Sequence, residues 1–298
     1  MALLAAAAVL ASLAAMLSGL LVVADRYLGV EEDARLNDLL AALPGINCGG
    51  CGYPSCRAFA VALLSGEAVP AACSVSPPEA HRRIADFLGI AVGTAARQVA
   101  RLACAGGQDL APSYGLYQGE PNCAAAAVVA GGGKACAWGC LGHGDCEHAC
   151  NFDAIRMEAH GLPVVEEALC TACGDCVRVC PKDLFRLVPE AEPLWVACNN
   201  PQAGNGLLEV CAVACTACNK CVYDASGWLR MDGNLPRLVA GANGKPPRAA
   251  IERCPTGAIV WVERGRYQRG TAAQQPHPLV APLLPARILS TSQDGRYP

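Results

Sequence analysis

Residues 170–181 read CTACGDCVRVCP, and this stretch decides the fold class. Cys170, Cys173, Cys176 and Cys180 match the C-x2-C-x2-C-x3-C-P spacing of a two-cluster ferredoxin motif without exception. A cubane iron–sulfur cluster needs four thiolates around a compact body. Two-residue gaps let one loop wrap three corners while its N–H groups point at the sulfurs. The fourth cysteine, carried off by a helix expected to begin at Pro181, reaches a neighbouring cluster. Structural zinc also uses C-x2-C pairs, but it needs two pairs rather than a triple followed by Cys-Pro. The stretch therefore predicts a [4Fe–4S] centre within an α+β fold of ferredoxin-like modules.

Upstream, Cys136, Cys140, Cys146 and Cys150 form a looser C-x3-C-x5-C-x3-C run, with Asn151 in place of the proline. Read as the partner motif, it exchanges its fourth ligand with the 170–180 motif. The expected sets are Cys136/Cys140/Cys146/Cys180 and Cys170/Cys173/Cys176/Cys150. Downstream, Cys215, Cys218 and Cys221 make a clean triple, and Cys254-Pro255 an outgoing ligand. By the same exchange, Cys254 is expected to complete a cluster drawn from Cys104, Cys123, Cys198 and Cys211. One of those four would complete the Cys215/Cys218/Cys221 set. Near the N-terminus, Cys48, Cys51, Cys56 and Cys73 form a separate set, with Gly49, Gly50 and Gly52 permitting close backbone approach. A four-cysteine zinc site is the rival there, but no second C-x2-C pair supports it. The 20 cysteines close into five sets of four, and a count of four clusters would leave Cys104 and Cys123 as spare buried thiols.

A module recurs. CNFDAI beginning at Cys150, CPKDLF at Cys180 and CPTGAI at Cys254 each place a small turn three residues beyond the cysteine, then a strand.

Composition agrees with this reading. The chain has 298 residues, a net charge of −3, 16% charged residues and 5% aromatics. That excludes disorder through high charge and a nucleic-acid reader with a strong basic field. Cysteine at this density means a disulfide scaffold or a multi-centre metalloprotein.

The first 26 residues read as a membrane anchor. Ala2 to Ala24 carries no charge, enough helix for roughly 34 Å. Nothing basic precedes it, as a signal peptide would require. Arg26 and Arg35 follow it, which places the bulk of the chain on the cytoplasmic side of the cell's inner membrane, with a single pass. That compartment also disfavours disulfides. Beyond the anchor we expect a four-cysteine domain over 30–90, with helices at 30–43 and 57–65. A helical stretch at 79–103 and a Gly-rich segment at 105–133 follow. The polyferredoxin region with two paired-cluster modules spans 100–262, and 265–298 reads as a poorly ordered tail.

Other motifs are weaker. His81, His143, His148, His160 and His277 are expected to be solvated rather than metal-bound. Gly131-Gly132-Gly133-Lys134 fails the phosphate-loop pattern, because no glycine lies five residues before Gly133 and Ala135 replaces Ser/Thr. No dinucleotide fingerprint and no nucleophile–base pattern is visible, so no catalytic residue is assigned.

The anchor, CGGCGYPSC with distal Cys73, GCLGHGDC and the ferredoxin module together resemble the B subunit of Rnf-type electron transport complexes over residues 1–262. The likeness is to its long, multi-cluster form. The resemblance implies a membrane complex that passes electrons between reduced ferredoxin and NAD, coupled to sodium or proton movement. Its implied partners are soluble ferredoxin, flavin- and NAD-binding subunits and integral membrane subunits. Short members are linked instead to reduction of a redox-sensing regulator. A stand-alone polyferredoxin is the third reading. The 32-residue gap from Cys221 to Cys254 departs from the family pattern.

Overall fold

The computed structural model describes residues 2–28, 33–239, 241–242, 244–263 and 265–273. Helix α1 (Ala2–Leu28) carries no charge from Ala2 to Ala24, and Asp25 and Arg26 follow in its last turn. Its Ala6–Ala24 window is long and apolar enough to cross a membrane, and none of it is buried within the protein. Among the described residues, no other element shields the large apolar side chains of this window, such as Leu20 and Val22.

Three helices build the first domain: α2 (Arg35–Ala42), α3 (Cys56–Leu64) and α4 (Pro78–Leu88). Leu36, Leu39 and Leu43 lie at helical spacing and close over Phe59, Leu63 and Ile84. Ser55 caps α3 by accepting from the Ala58 N–H. Proline at its first position starts α4, and Gly89 in the left-handed region stops it. The helix expected over 79–103 therefore ends there. Residues 98–102 instead form an extended strand, whose pairing supplies the backbone hydrogen bonds that a longer helix would have made.

From this point one plan is used twice. The first copy is β1 (Gln98–Leu102), α5 (Cys123–Val128), α6 (Asp145–His148), β2 (Ile155–Met157), β3 (Pro163–Val165), α7 (Asp175–Val179) and β4 (Phe185–Pro189). The second is β5 (Leu194–Val196), α8 (Lys220–Asp224), β6 (Leu229–Asp232), β7 (Leu235–Leu238), α9 (Ala249–Glu252) and β8 (Ile259–Glu263). In each copy the last strand returns antiparallel to the first, with Ala100 opposite Leu187 and Trp195 opposite Val260. In each copy a hairpin joins the two short helices, β2–β3 in one and β6–β7 in the other. Val99 and Val188 of one copy pack on Trp195 and Val260 of the other.

A buried ion pair pins β1. Arg101, 2% exposed, holds Glu167 at 3.2 Å and donates to the carbonyls of Glu190 (3.1 Å) and Glu192.

Two further expectations are corrected. No helix begins at Pro181; Cys180 ends α7 and a turn leads into β4. The segment from 265 is not unstructured at its start, because β9 (Arg266–Arg269) pairs with β8 and extends its sheet. Residues 274–298 of that expected tail lie outside the described residues.

Candidate iron–sulfur centres

Three loops share one backbone conformation. Ala172 and Gly174 lie at positive φ between Cys170 and Cys176, and Ala217 and Asn219 do so between Cys215 and Cys221. Gly142 and Gly144 repeat the pattern between Cys140 and Cys146. Left-handed residues at these points curl the chain so that successive amides face inward. The amide two residues beyond a cysteine then bonds its sulfur: Asp175 serves Cys173, Gly142 serves Cys140 and Ala217 serves Cys215. The third cysteine of each loop, Cys146, Cys176 or Cys221, sits in the short helix that follows.

The thiols gather into five quartets, three of them differing from the expected sets. Cys150 joins Cys170, Cys173 and Cys176 around one cavity. Cys180 lines a second cavity with Cys140 and Cys146, and the fourth cysteine there is Cys123 rather than the expected Cys136. The reason is a register difference in the looser motif. His143 occupies the place of the middle cysteine in the 140–146 loop, and its N–H faces the Cys123 sulfur delivered by α5. Asn122 caps α5, and Asp145 accepts from the Cys123 N–H at 2.8 Å, which fixes that delivery.

Cys136 instead meets Cys104, Cys198 and Cys211, each within electrostatic reach of the others. The fifth quartet is Cys215, Cys218, Cys221 and Cys254 around a single cavity. The expectation that Cys254 leaves this triple for the Cys104 group is therefore corrected. Ala225 stands four residues after Cys221, where the other modules have Cys150 and Cys180, and it is buried. Helix α9 takes the place of α7 but brings no triple of its own. Cys254 still crosses to the facing loop; the second cluster of the pair has no ligands there.

The remaining quartet is Cys48, Cys51, Cys56 and Cys73. Cys51 lies near Cys48 and Cys73, and Cys56 opens α3 beside them. Asn47 accepts from the Cys56 N–H at 2.8 Å, and Ser76 donates to the Cys73 sulfur at 3.2 Å.

Burial dominates the protonation of six of these thiols. It pushes Cys140, Cys146, Cys176, Cys211, Cys215 and Cys221 up to about 12, and neighbouring thiolates push the same way. Such a group of thiolates is tolerable only around a metal cation. Among the described residues, no three His, Cys, Asp or Glu side chains converge closely enough to hold a single metal ion. Thiols that surround a cavity without converging on a point fit a multi-atom cluster rather than zinc.

Each quartet adjoins the next. Ser74, next to Cys73, bonds the Thr171 carbonyl at 2.5 Å, linking the first quartet to the Cys150/Cys170/Cys173/Cys176 quartet. Cys176 lies near Cys146, Cys140 near Cys104, and the Cys215 N–H bonds the Cys198 sulfur at 3.4 Å. At the far end Cys218 is exposed.

Residues not singled out from sequence support this row. Lys134, read only as a failed phosphate loop, donates to the carbonyls of Gly106 (2.8 Å) and Cys140 (2.6 Å). Asn200 donates to the Cys136 sulfur at 3.8 Å. Arg269 of β9 lies near Cys211 and Cys254. Among the histidines, His81 bonds the Cys73 carbonyl at 2.9 Å, His143 packs edge-on to Tyr117, and exposed His160 pairs with Asp109. His148 ends α6, and His277 lies outside the described residues.

Comparisons with known proteins point to iron–sulfur proteins. The Fe-S cluster family matches residues 43–75, and the 4Fe-4S dicluster domain family matches residues 135–185. The chain is 42% identical over 195 residues to the B subunit of the Na(+)-translocating ferredoxin:NAD(+) oxidoreductase complex of Acetobacterium woodii. That match covers 65% of this chain and 59% of the relative's length. It is 35% identical to the B subunit of the ion-translocating oxidoreductase complex of Methanosarcina acetivorans, over 72% of this chain and 81% of that protein. It is 30% identical to the B subunit of the proton-translocating ferredoxin:NAD(+) oxidoreductase complex of Clostridium ljungdahlii, over 75% and 80%.

Proposed function

The chain belongs to the family formed by the B subunits of ion-translocating oxidoreductase complexes, and from that premise we propose that it is the iron–sulfur electron-transfer subunit of an ion-translocating ferredoxin:NAD+ oxidoreductase. The observation that carries this reading is the unbroken row of five cysteine quartets. We assign one [4Fe–4S] cluster to each quartet, and each cluster, when bound, accepts and releases one electron. The chain holds these stations in a fixed order. It buries most of their thiols and aims backbone amides at the sulfurs. The near end of the row begins 20 residues beyond α1, so α1 holds it at the membrane, where integral subunits lie.

The far end surrounds exposed Cys218, on the cytoplasmic side in this reading. Lys220 and the 80%-exposed Tyr223, with Arg253 over its ring, flank that end. It is the face we assign to soluble ferredoxin, with flavin- and NAD-binding subunits as further partners. The test is anaerobic iron and sulfide analysis with EPR. The expected result is roughly twenty irons per chain as cubane clusters. Stoichiometric zinc without iron overturns the reading, and about sixteen irons overturns the count of five.

A further inference from the structure

Two cations flank the Cys104/Cys136/Cys198/Cys211 quartet, and neither has a carboxylate partner among the described residues. Lys134 lies near Cys136, its ammonium tied to the Gly106 and Cys140 carbonyls and acting on both Cys136 and Cys140. Arg269 lies near Cys211, on the strand that the sequence pattern conceals. Its guanidinium is half-buried, and the charges that act on it are Cys211 and Cys254. Gly257, at φ +68°, makes room for it: a Cβ there would sit 2.6 Å from the Arg269 Cδ. The nearby acid Glu252 is engaged by Thr271 and Arg248 instead.

The same quartet also receives two donors on sulfur, from Asn200 to Cys136 and from the Cys215 N–H to Cys198. Asp145 stands beside Cys123 of one adjoining quartet, and one quartet further on Asp175 accepts from the Cys173 thiol at 3.3 Å. Net charge, hydrogen bonds to sulfur and burial set the potential of a cluster. A cation beside it stabilises the added electron, while a carboxylate opposes it.

We propose that the Cys104/Cys136/Cys198/Cys211 quartet holds the most easily reduced centre of the chain, and that Lys134 and Arg269 are the positioning residues that make it so. The inference rests on the assignment of a cluster to each quartet. Reduction adds one electron from a low-potential donor and breaks no bond. The centre is then the station where an electron pauses between the two ends of the row.

The experiment is an anaerobic, EPR-monitored reductive titration of the full chain with dithionite. The signal of this centre is assigned through Cys198→Ser. It is expected to appear first on reduction in the native protein. Arg269→Gln and Lys134→Gln should each move it to lower potential, and the double variant further. Arg269→Lys, which keeps the charge, should stay near the native value. Iron and sulfide are measured on the same samples. A chain without clusters overturns the functional reading itself. A loaded chain whose Cys198-assigned signal is not the first to appear, or ignores both Gln substitutions, overturns this inference alone. Loss of iron in Arg269→Gln with no shift in Lys134→Gln also overturns it, in favour of a packing role for Arg269.

Discussion

At position 143 a histidine stands where the other two loops carry their middle cysteine, and Cys123 fills the corner from a different helix. The loop conformation survives because Gly142 and Gly144 keep the positive φ that Ala172 and Gly174 adopt in the intact motif. Cys123→Ala should therefore cost that quartet alone, a loss of roughly four irons per chain. Adding His143→Cys to that variant should restore them, since the new thiol sits in the standard place. Iron content of the single and double variants checks this, and a double variant as depleted as the single one contradicts the register assigned here. The same logic applies to Cys136→Ala, which should disturb the Cys104/Cys198/Cys211 signal and leave the Cys140/Cys146/Cys180 signal intact.

At the scale of elements, the twice-used plan depends on how each first strand is held. Strand β1 is fixed by the buried pair of Arg101 and Glu167 and by two carbonyls at the turn after β4. Arg101→Met leaves the buried carboxylate and both carbonyls without their donor, and should cost about 3–5 kcal/mol. Urea unfolding of the cluster-loaded chain measures it, and a loss below about 1 kcal/mol contradicts the structural role.

These elements were unequally legible in the sequence. The 170–180 loop was readable because all of its determinants lie within eleven residues. The exchange of Cys150 and Cys180 followed from the same local motif. The partners of Cys104, Cys123, Cys198 and Cys211 were not readable, because spacing says nothing about which distant loops meet. Strand β9 escaped notice because RYQR has no apolar alternation; it is held by pairing to β8 rather than by a buried face of its own. The helix expected to 103 failed at Gly89, a stop signal that lay within the expected span.

For the whole molecule, protonation couples loading to folding. Six thiols held near 12 by burial are neutral in the iron-free chain at pH 7, while iron ligation requires thiolates. Loading should therefore release protons, measurable in a weakly buffered reconstitution. The same raised values stabilise the iron-free fold below the unfolded thiol pKa of about 8.5, and that contribution is lost as pH climbs towards 12. Iron-free chain should thus unfold more easily from about pH 9 upward. An unfolding midpoint that stays flat from neutral pH to about pH 11 contradicts it.

The row has a further consequence for the molecule as a whole. Among the described residues, the contacts between quartets run from the Cys48–Cys73 quartet to the Cys215–Cys254 quartet through the three between them. Cys198→Ala with Cys211→Ala removes two corners of one middle station and no ligand of either end. Both end signals should survive in EPR of the fully reduced variant, because a small diffusing reductant reaches each end separately. A reductant bulky enough to meet only exposed Cys218 must instead send its electron along the chain. Rapid-freeze EPR should then show the Cys215–Cys254 centre reduced at the native rate and the Cys48–Cys73 centre reduced at least tenfold more slowly, a factor worth about 1.4 kcal/mol of barrier. If the far centre is reduced as fast as in the native chain, the electron has another route, and the five stations do not act in series.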